Sequence, residues 1–289
     1  MRGKKRASIY TILNYWVMGF LALICIIPLI NVLAISFSSQ DQVVKGLVFL
    51  TPKGFSLDSY KVILQETAFL KSFVVSVVRV VVGTVLSTVF TVLMAYPLSK
   101  SERTLPGRNI IMIIIIFVML FNAGLVPVYL LIRDLGLLQN YLVLVLPGLL
   151  PVFNVIIVMN FMRMLPPSLE EAAIMDGAGF FTILTKIIVP LSKPAIVTIS
   201  LFTAVAIWND YFTGLIYLDI NKYPLQTYLY AMNVNRDINN LQQALLFQNV
   251  GDKTLLSAQM FVALIPVLLV YPFLQKHFVK GIVLGAVKG

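Results

Sequence analysis

The sequence predicts an all-α, polytopic membrane protein with six transmembrane helices. Three observations predict it. Of 289 residues, 59% are hydrophobic and 12% are charged, about half the ~25% charged residues usual in a soluble domain; mean hydropathy is +0.93. The apolar residues gather into runs of about 20, the length that crosses a bilayer core. The runs are continuous rather than alternating, which favours helices over barrel strands. Too little polar surface remains for a soluble globule, a disordered chain or a coiled coil.

The first run extends from about Ile12 to Ile35, the second from Ser72 to Leu98 and the third from Ile110 to Ile132. The fourth extends from Tyr141 to Phe161, the fifth from Pro194 to Tyr217 and the sixth from Ser257 to Leu274. Pro28, Gly83, Gly124, Pro127, Pro147, Pro151 and Pro266 fall inside them. Membrane helices tolerate such residues where neighbours re-satisfy the freed backbone groups. They fit either bent helices around a pathway or ordinary kinks in a tight bundle.

Six spans put both termini on one side. The segments on that side (residues 1–11, 99–109, 162–193 and 275–289) carry thirteen Lys and Arg against four acids, a net of +9. The opposite segments (36–71, 133–140 and 218–256) carry eight against seven. The positive-inside rule therefore places both termini in the cytoplasm. That asymmetry accounts for most of the formal charge of +10 and makes nucleic acid unnecessary as a partner. The opening MRGKKRASIY resembles a signal peptide, but the apolar run after it is longer than the usual 7–15 residues, so an uncleaved first helix is expected. The long outer segments 36–71 and 218–256 read as docking surface or as short interfacial helices.

One cysteine, Cys25, and one histidine, His277, rule out a disulfide framework, a Cys cluster and a His-rich metal site within one chain. No G-x4-GK-[ST] phosphate cradle and no HExxH string occurs. No catalytic residue, metal site or bound cofactor is assigned to the chain.

The most informative stretch is LPPSLEEAAIMDGAGFFTILTKIIVPLSKP, residues 165–194. Pro166 and Pro167 end the preceding helix. Ser168 with Glu171 reads as a capping box that opens a new one. Asp176-Gly177 breaks that helix, since glycine accepts φ > 0 at a helix end. A second helical stretch from about Phe180 to Val189 is expected to stop at Pro190. Two short helices with a sharp bend make a knob suited to a groove on a partner.

Glu171-Ala172-Ala173, then Asp176-Gly177-Ala178, then Ile187, Val189, Pro190 and Pro194, resembles the EAA loop of binding-protein-dependent ABC importer permeases. Leu184 replaces the usual aromatic and Val189 the usual Leu. Gly281, Gly285, Val287, Lys288 and Gly289 resemble the G-x3-G-x-VKG ending of the carbohydrate-uptake, maltose-type six-helix group. The resemblance implies an ABC type I importer permease core at 72–275 with cytoplasmic coupling helices. An N-terminal segment with the first helix and outer loop precedes it at 1–71, and a cytoplasmic tail follows at 276–289. It implies that Glu170, Glu171, Ala172, Ala173, Asp176, Gly177, Ala178 and Pro190 form the surface that docks on an ATPase subunit. Glu171 would meet a basic group there and Gly177 would allow the bend; Glu171 also fits a capping role alone. The tail residues Gly285, Lys288 and Gly289 would reach the ATPase subunits or be a frayed end. The partners implied are a second, paralogous permease subunit, two ATPase subunits that bind ATP with Mg, and an extracellular or periplasmic solute-binding protein. The setting implied is a bacterial or archaeal plasma membrane.

Two full charges lie inside the runs, Arg79 and Asp210, at similar depth. Such residues usually face a bundle interior or a pathway. They fit an ion pair, or else a snorkelling Arg79 and an Asp210 in a wet mouth. Trp208, Asn209, Asp210 and Tyr211 combine aromatic faces with amides and suit a sugar; Trp208 and Tyr211 also fit belt aromatics. Asn122 and Asn154 are further pathway candidates, or make interhelical hydrogen bonds. An oligosaccharide or related sugar is the solute class implied. The competing readings are a permease subunit for a non-sugar solute, a membrane enzyme and an ion-coupled carrier; the enzyme lacks clustered intramembrane acids, His or Cys, and the EAA string argues against the carrier.

Overall fold

The computed structural model describes residues 9–235, 251 and 253–269, and every named element among them is a helix. Two helices, Leu13–Ser36 and Thr67–Ser99, are each long and apolar enough to cross a membrane alone. Three bent pairs raise the number to five if each is one span. The sixth run is helical over Lys253–Leu269; residues 270–274 and the tail residues Gly285, Lys288 and Gly289 lie outside the described residues.

The chain divides into two compact units, residues 1–70 with 233–265 and residues 71–232 with 266–289. In the first, the Ile9–Ser36 helix leads into a folded segment with two short helices, Gln40–Val44 and Asp58–Gln65. Phe37 stacks on Phe55 at 5.7 Å and on Tyr60 at 4.9 Å between ring centroids. The Tyr60 and Ser36 hydroxyls are 2.8 Å apart. Short helices, one with a buried Ile63, thus lie in the 36–71 segment; in 218–256 the helix Leu225–Asn235 is described, while 236–250 and 252 lie outside the described residues.

In the second unit the core is built from Ala95, Tyr96, Val155, Val158, Ile188 and Ile199, each at most 3% exposed. Lipid tails are as apolar as leucine, so association here rests on close packing and hydrogen bonds rather than on removal from water. Small and polar residues supply both. A Cβ at Gly83 would come within 2.7 Å of Ile207 Cδ1. Thr88 and Ser200 hydroxyls are 2.8 Å apart, and Asn154 Nδ2 donates to Thr203 Oγ1 at 2.9 Å.

The third, fourth and fifth apolar runs are not continuous helices, a difference from the sequence reading with a local cause in each case. In the third, Arg108–Leu120 and Leu125–Asp134 meet at 111°. Asn122 Oδ1 accepts the Gly124 N–H at 2.9 Å, and Gly124 takes φ +83°, so a side chain competes with the helical ladder and a glycine completes the turn. In the fourth, 3₁₀ turns at Tyr141–Leu144 and Leu146–Gly148 precede Val152–Arg163 with a 47° bend. Pro147 and Pro151 both lack the N–H that a continuous helix needs there. The fifth comprises Lys193–Asn209 and Phe212–Tyr217, separated where Asp210 becomes extended at ψ 108°.

Candidate functional site

The 165–194 loop keeps its expected bend. The Ser168–Met175 helix ends at Asp176, and Gly177 has φ +76°. Ala178 N–H donates to Ala173 O at 2.9 Å and Gly177 N–H to Ile174 O at 3.0 Å. These two bonds are the Schellman pair that closes a helix on a left-handed residue.

Two expectations for this loop need correction. No capping box forms: Pro167 occupies the N-cap with φ −62° and ψ −26°, and Ser168 is already helical. The proline ring pre-sets the φ that a helix start requires, so the helix begins one residue early. Glu171 is thereby released from a capping role; it lies in the first turn, is exposed, and its carboxylate has no partner among the described residues. Nor does Pro190 stop the second helix. Phe180–Ile183 passes into a wide π turn at Leu184–Ile188, and Val189–Leu191 continues beyond it. The wider turn removes the tight i−4 carbonyl that a proline ring would strike. The direction changes instead at Ser192, by 80°, into Lys193–Asn209.

The loop is a two-faced object. Ala173 is buried, whereas Ala172, Ile174, Met175 and Asp176 are exposed, Met175 at 87%. Ala178 is half-buried and Pro190 exposed. Glu170 turns inward and pairs with Lys100.

The intramembrane charges meet. Arg79, 6% exposed, donates from Nη2 to Asp210 Oδ2 at 2.5 Å, from Nη1 to the Asp210 carbonyl at 3.1 Å, and from Nε to the Leu144 carbonyl at 3.1 Å. Both carbonyls stand where a span is interrupted and a backbone acceptor is orphaned. The other carboxylate oxygen, Asp210 Oδ1, accepts the N–H groups of Phe212 and Thr213 at 3.1 and 3.2 Å, the opening of the next helix. One guanidinium and one carboxylate therefore satisfy the broken ends of two spans, and the fork of Arg reaches three acceptors where Lys offers a single point.

Beside this junction lies a cavity of about 420 Å³. Arg79 and Asp210 are the charged groups in its wall; Asn154, Thr203 and Thr213 add polar atoms, and the rest is apolar. Asn154 is buried and bonded to Thr203, so it serves both as wall and as interhelical bond.

The aromatic cluster differs from the sequence reading. Trp208 is 6% exposed and meets Phe73 edge-on at 6.1 Å, so its ring supports the helix and offers no open face. Tyr211 is the exposed ring, at 40%, stacked on Tyr230 at 4.5 Å. Asn209 is exposed and returns its amide to the Val205 carbonyl at 3.0 Å. Asn122 is exposed and spent on the Gly124 turn. Thr203 and Thr213 carry no sequence signal beyond lying seven residues before and three residues after Asp210.

Residues 67–284 match the model of the family described as binding-protein-dependent transport system inner membrane component. The chain belongs to that family. It is 43% identical to the polygalacturonan/rhamnogalacturonan transport system permease protein YtcP of Bacillus subtilis, over 97% of this chain and 99% of that protein. It is 40% identical to Protein LplC of the same organism, over 100% of this chain and 98% of that protein. A crystal structure of a bacterial ABC transporter that imports the acidic polysaccharide alginate contains a chain 37% identical to it, with TM-score 0.89 over 96% of this chain and 100% of that one.

The protein is thus a helical ABC importer permease of the plasma membrane, a transport component and not an enzyme. For a permease, helices interrupted at Asp210 and Leu144 have a use. Irregular backbone at membrane depth is tolerated where it is buried in protein or lines a cavity, and this permease does both at one place.

Proposed function

We propose that this permease forms one half of a heterodimeric translocation pathway for an oligosaccharide or related sugar. It has six spans, with the bent pairs Arg108–Leu120 with Leu125–Asp134 and Tyr141–Gly148 with Val152–Arg163 each counting as one and Pro194 to Tyr217 as the fifth, a type I core at 72–275 and both termini in the cytoplasm. The names of the relatives support a polysaccharide-derived solute. Two ATPase subunits bind ATP with Mg and dock on the inner face; an extracellular or periplasmic solute-binding protein delivers solute to the outer face. The membrane is the plasma membrane of a bacterium or archaeon. The observation that carries the reading is the exposed face of the Ser168–Met175 helix, with Glu171 exposed and without a partner among the described residues and the Gly177 turn closed behind it.

In this reading the knob enters a groove of the ATPase, Glu171 meets a basic group there, and Gly285, Lys288 and Gly289 of the tail add contacts. ATP-driven closure of the ATPase pair moves the knob, and the pathway alternates between outward-open and inward-open. Arg79, Asn122, Asn154, Trp208, Asn209, Asp210 and Tyr211 belong to the pathway or its support, with Arg79 and Asp210 holding the interrupted helices and Tyr211 offering the aromatic face. The test is affinity purification from the native membrane. An ATPase and a second permease subunit co-purify, and Glu171→Lys loses the ATPase while keeping the second permease. Retention of the ATPase by Glu171→Lys contradicts the docking assignment.

A further inference from the structure

The C-terminal end of the Thr67–Ser99 helix is gripped from several sides. The carbonyl of Leu98 accepts Arg108 Nε at 2.8 Å and Arg163 Nη2 at 3.2 Å. Lys100, directly after the helix, pairs with Glu170 and places its ammonium 4.1 Å from the centroid of the Tyr96 ring. The Lys100 and Glu170 side chains are 20% and 24% exposed, so the pair is partly withdrawn from water. Tyr96 also meets Phe180 at 5.0 Å, on the far side of the Gly177 turn. Both arms of the bent loop therefore contact the end of one helix, one at Tyr96 in its last turn and the other at Lys100 just beyond it. Arg79 lies on that same helix, 21 residues before Lys100, or about 32 Å at 1.5 Å per residue.

Neighbouring positions on a helix point about 100° apart, so Glu170 and Glu171 do different things. Glu171 faces outward with no partner among the described residues; Glu170 faces the body of the protein and is occupied. We propose that Glu170 is a positioning residue: through Lys100 and Tyr96 it fixes the Ser168–Met175 helix to the end of the Thr67–Ser99 helix, so that displacement of the loop is delivered to the helix that carries Arg79. The delivery step rests on the reading of the loop as the ATPase dock; the fixing does not. A partly desolvated pair with a cation over an aromatic face is a better strut than an exposed pair, because it is less screened and each partner has little freedom left.

Two measurements test it. Spin labels at Met175→Cys and Val89→Cys, in a Cys25→Ser background, report the distance between the loop helix and the long helix, where Val89 is exposed, in the purified permease pair. Glu170→Gln widens the distance distribution roughly twofold as the loop helix samples undocked positions. The charge-swapped Lys100→Glu with Glu170→Lys narrows it again, and Glu171→Gln leaves it unchanged. The second measurement is ATPase retention with unlabelled variants: Glu170→Gln retains the ATPase and Glu171→Lys does not. An unchanged distribution in Glu170→Gln overturns the proposal, as does loss of the ATPase in Glu170→Gln with the distance kept, which makes Glu170 a docking charge. A wild-type chain that retains no ATPase overturns delivery and the docking reading together, while the distances still decide the fixing.

Discussion

Arg79 and Asp210, 131 positions apart in the chain, meet through two hydrogen bonds, and Arg79 makes a third to the Leu144 carbonyl. The pair is more than a neutralisation. Arg79 supplies donors to two carbonyls left over at helix breaks, and Asp210 supplies an acceptor to two N–H groups at the next helix start. Removing either residue leaves a charge and several backbone groups without partners in a poor solvent.

Asp210 thus has two separable tasks. Asp210→Asn keeps an oxygen for the Phe212 and Thr213 N–H groups and loses the pair; Asp210→Leu loses both. The expected cost is about 1–2 kcal/mol for Asn and about 2–4 kcal/mol for Leu, below the full cost of breaking a buried pair because Asp210 is 27% exposed. Swapping Arg79→Asp with Asp210→Arg restores opposite charges but neither the capping nor the Leu144 bond, so rescue is partial. Thermal unfolding in detergent checks the order; equal losses for Asn and Leu contradict the capping task.

Gly177 is expected to tolerate Asn and reject Val. Nothing lies within 4 Å of a Cβ placed there, so the cost is backbone strain alone at φ +76°. That conformation costs roughly 1–2 kcal/mol for ordinary residues, less for Asn and more for a β-branched one. Uptake should fall in Gly177→Val with normal membrane insertion, and Gly177→Asn should stay near wild type. Full uptake by the Val variant counts against the turn as part of the coupling surface.

How much of this was legible beforehand depends on what each feature rests on. The long Thr67–Ser99 helix and the Gly177 turn follow from local signals, an unbroken apolar run and an Asp-Gly pair. The breaks at Asn122–Gly124 and Asp210 do not, since hydropathy averages over them and the competing hydrogen bonds come from single side chains. The start at Pro167 and the passage through Pro190 reversed the usual punctuation, because one proline sits where its φ helps and the other follows a π turn. Equal depth brought Arg79 and Asp210 together as candidates; their grip on Leu144 needed the tertiary structure.

Gly214 is a close-approach site. A Cβ there would strike Thr227 Oγ1 and come within 2.8 Å of Pro224 Cδ, neither at the end of a flexible side chain. Gly214→Ala is expected to destabilise by about 1–3 kcal/mol through overpacking, and Thr227→Ser should relieve little of it because the hydroxyl remains. Thermal unfolding reads this directly; an unchanged midpoint in Gly214→Ala contradicts the packing.

The proposed orientation is checked with single cysteines in a Cys25→Ser background. Asp134→Cys should react with an impermeant thiol reagent from outside intact cells, and Arg103→Cys should react only after permeabilisation. Both positions are exposed. The reverse pattern inverts the topology derived from the basic segments.

In the proposed function this chain conducts solute only when an ATPase and a binding protein drive it. The direct measurement is uptake of labelled oligosaccharides, neutral and uronate-bearing, into proteoliposomes holding the permease pair and its ATPase. Uptake of at least one class is expected to need both internal ATP and the external binding protein, and to be lost in Glu171→Lys. Uptake that follows an imposed proton or sodium gradient without ATP, and that persists in Glu171→Lys, would contradict it.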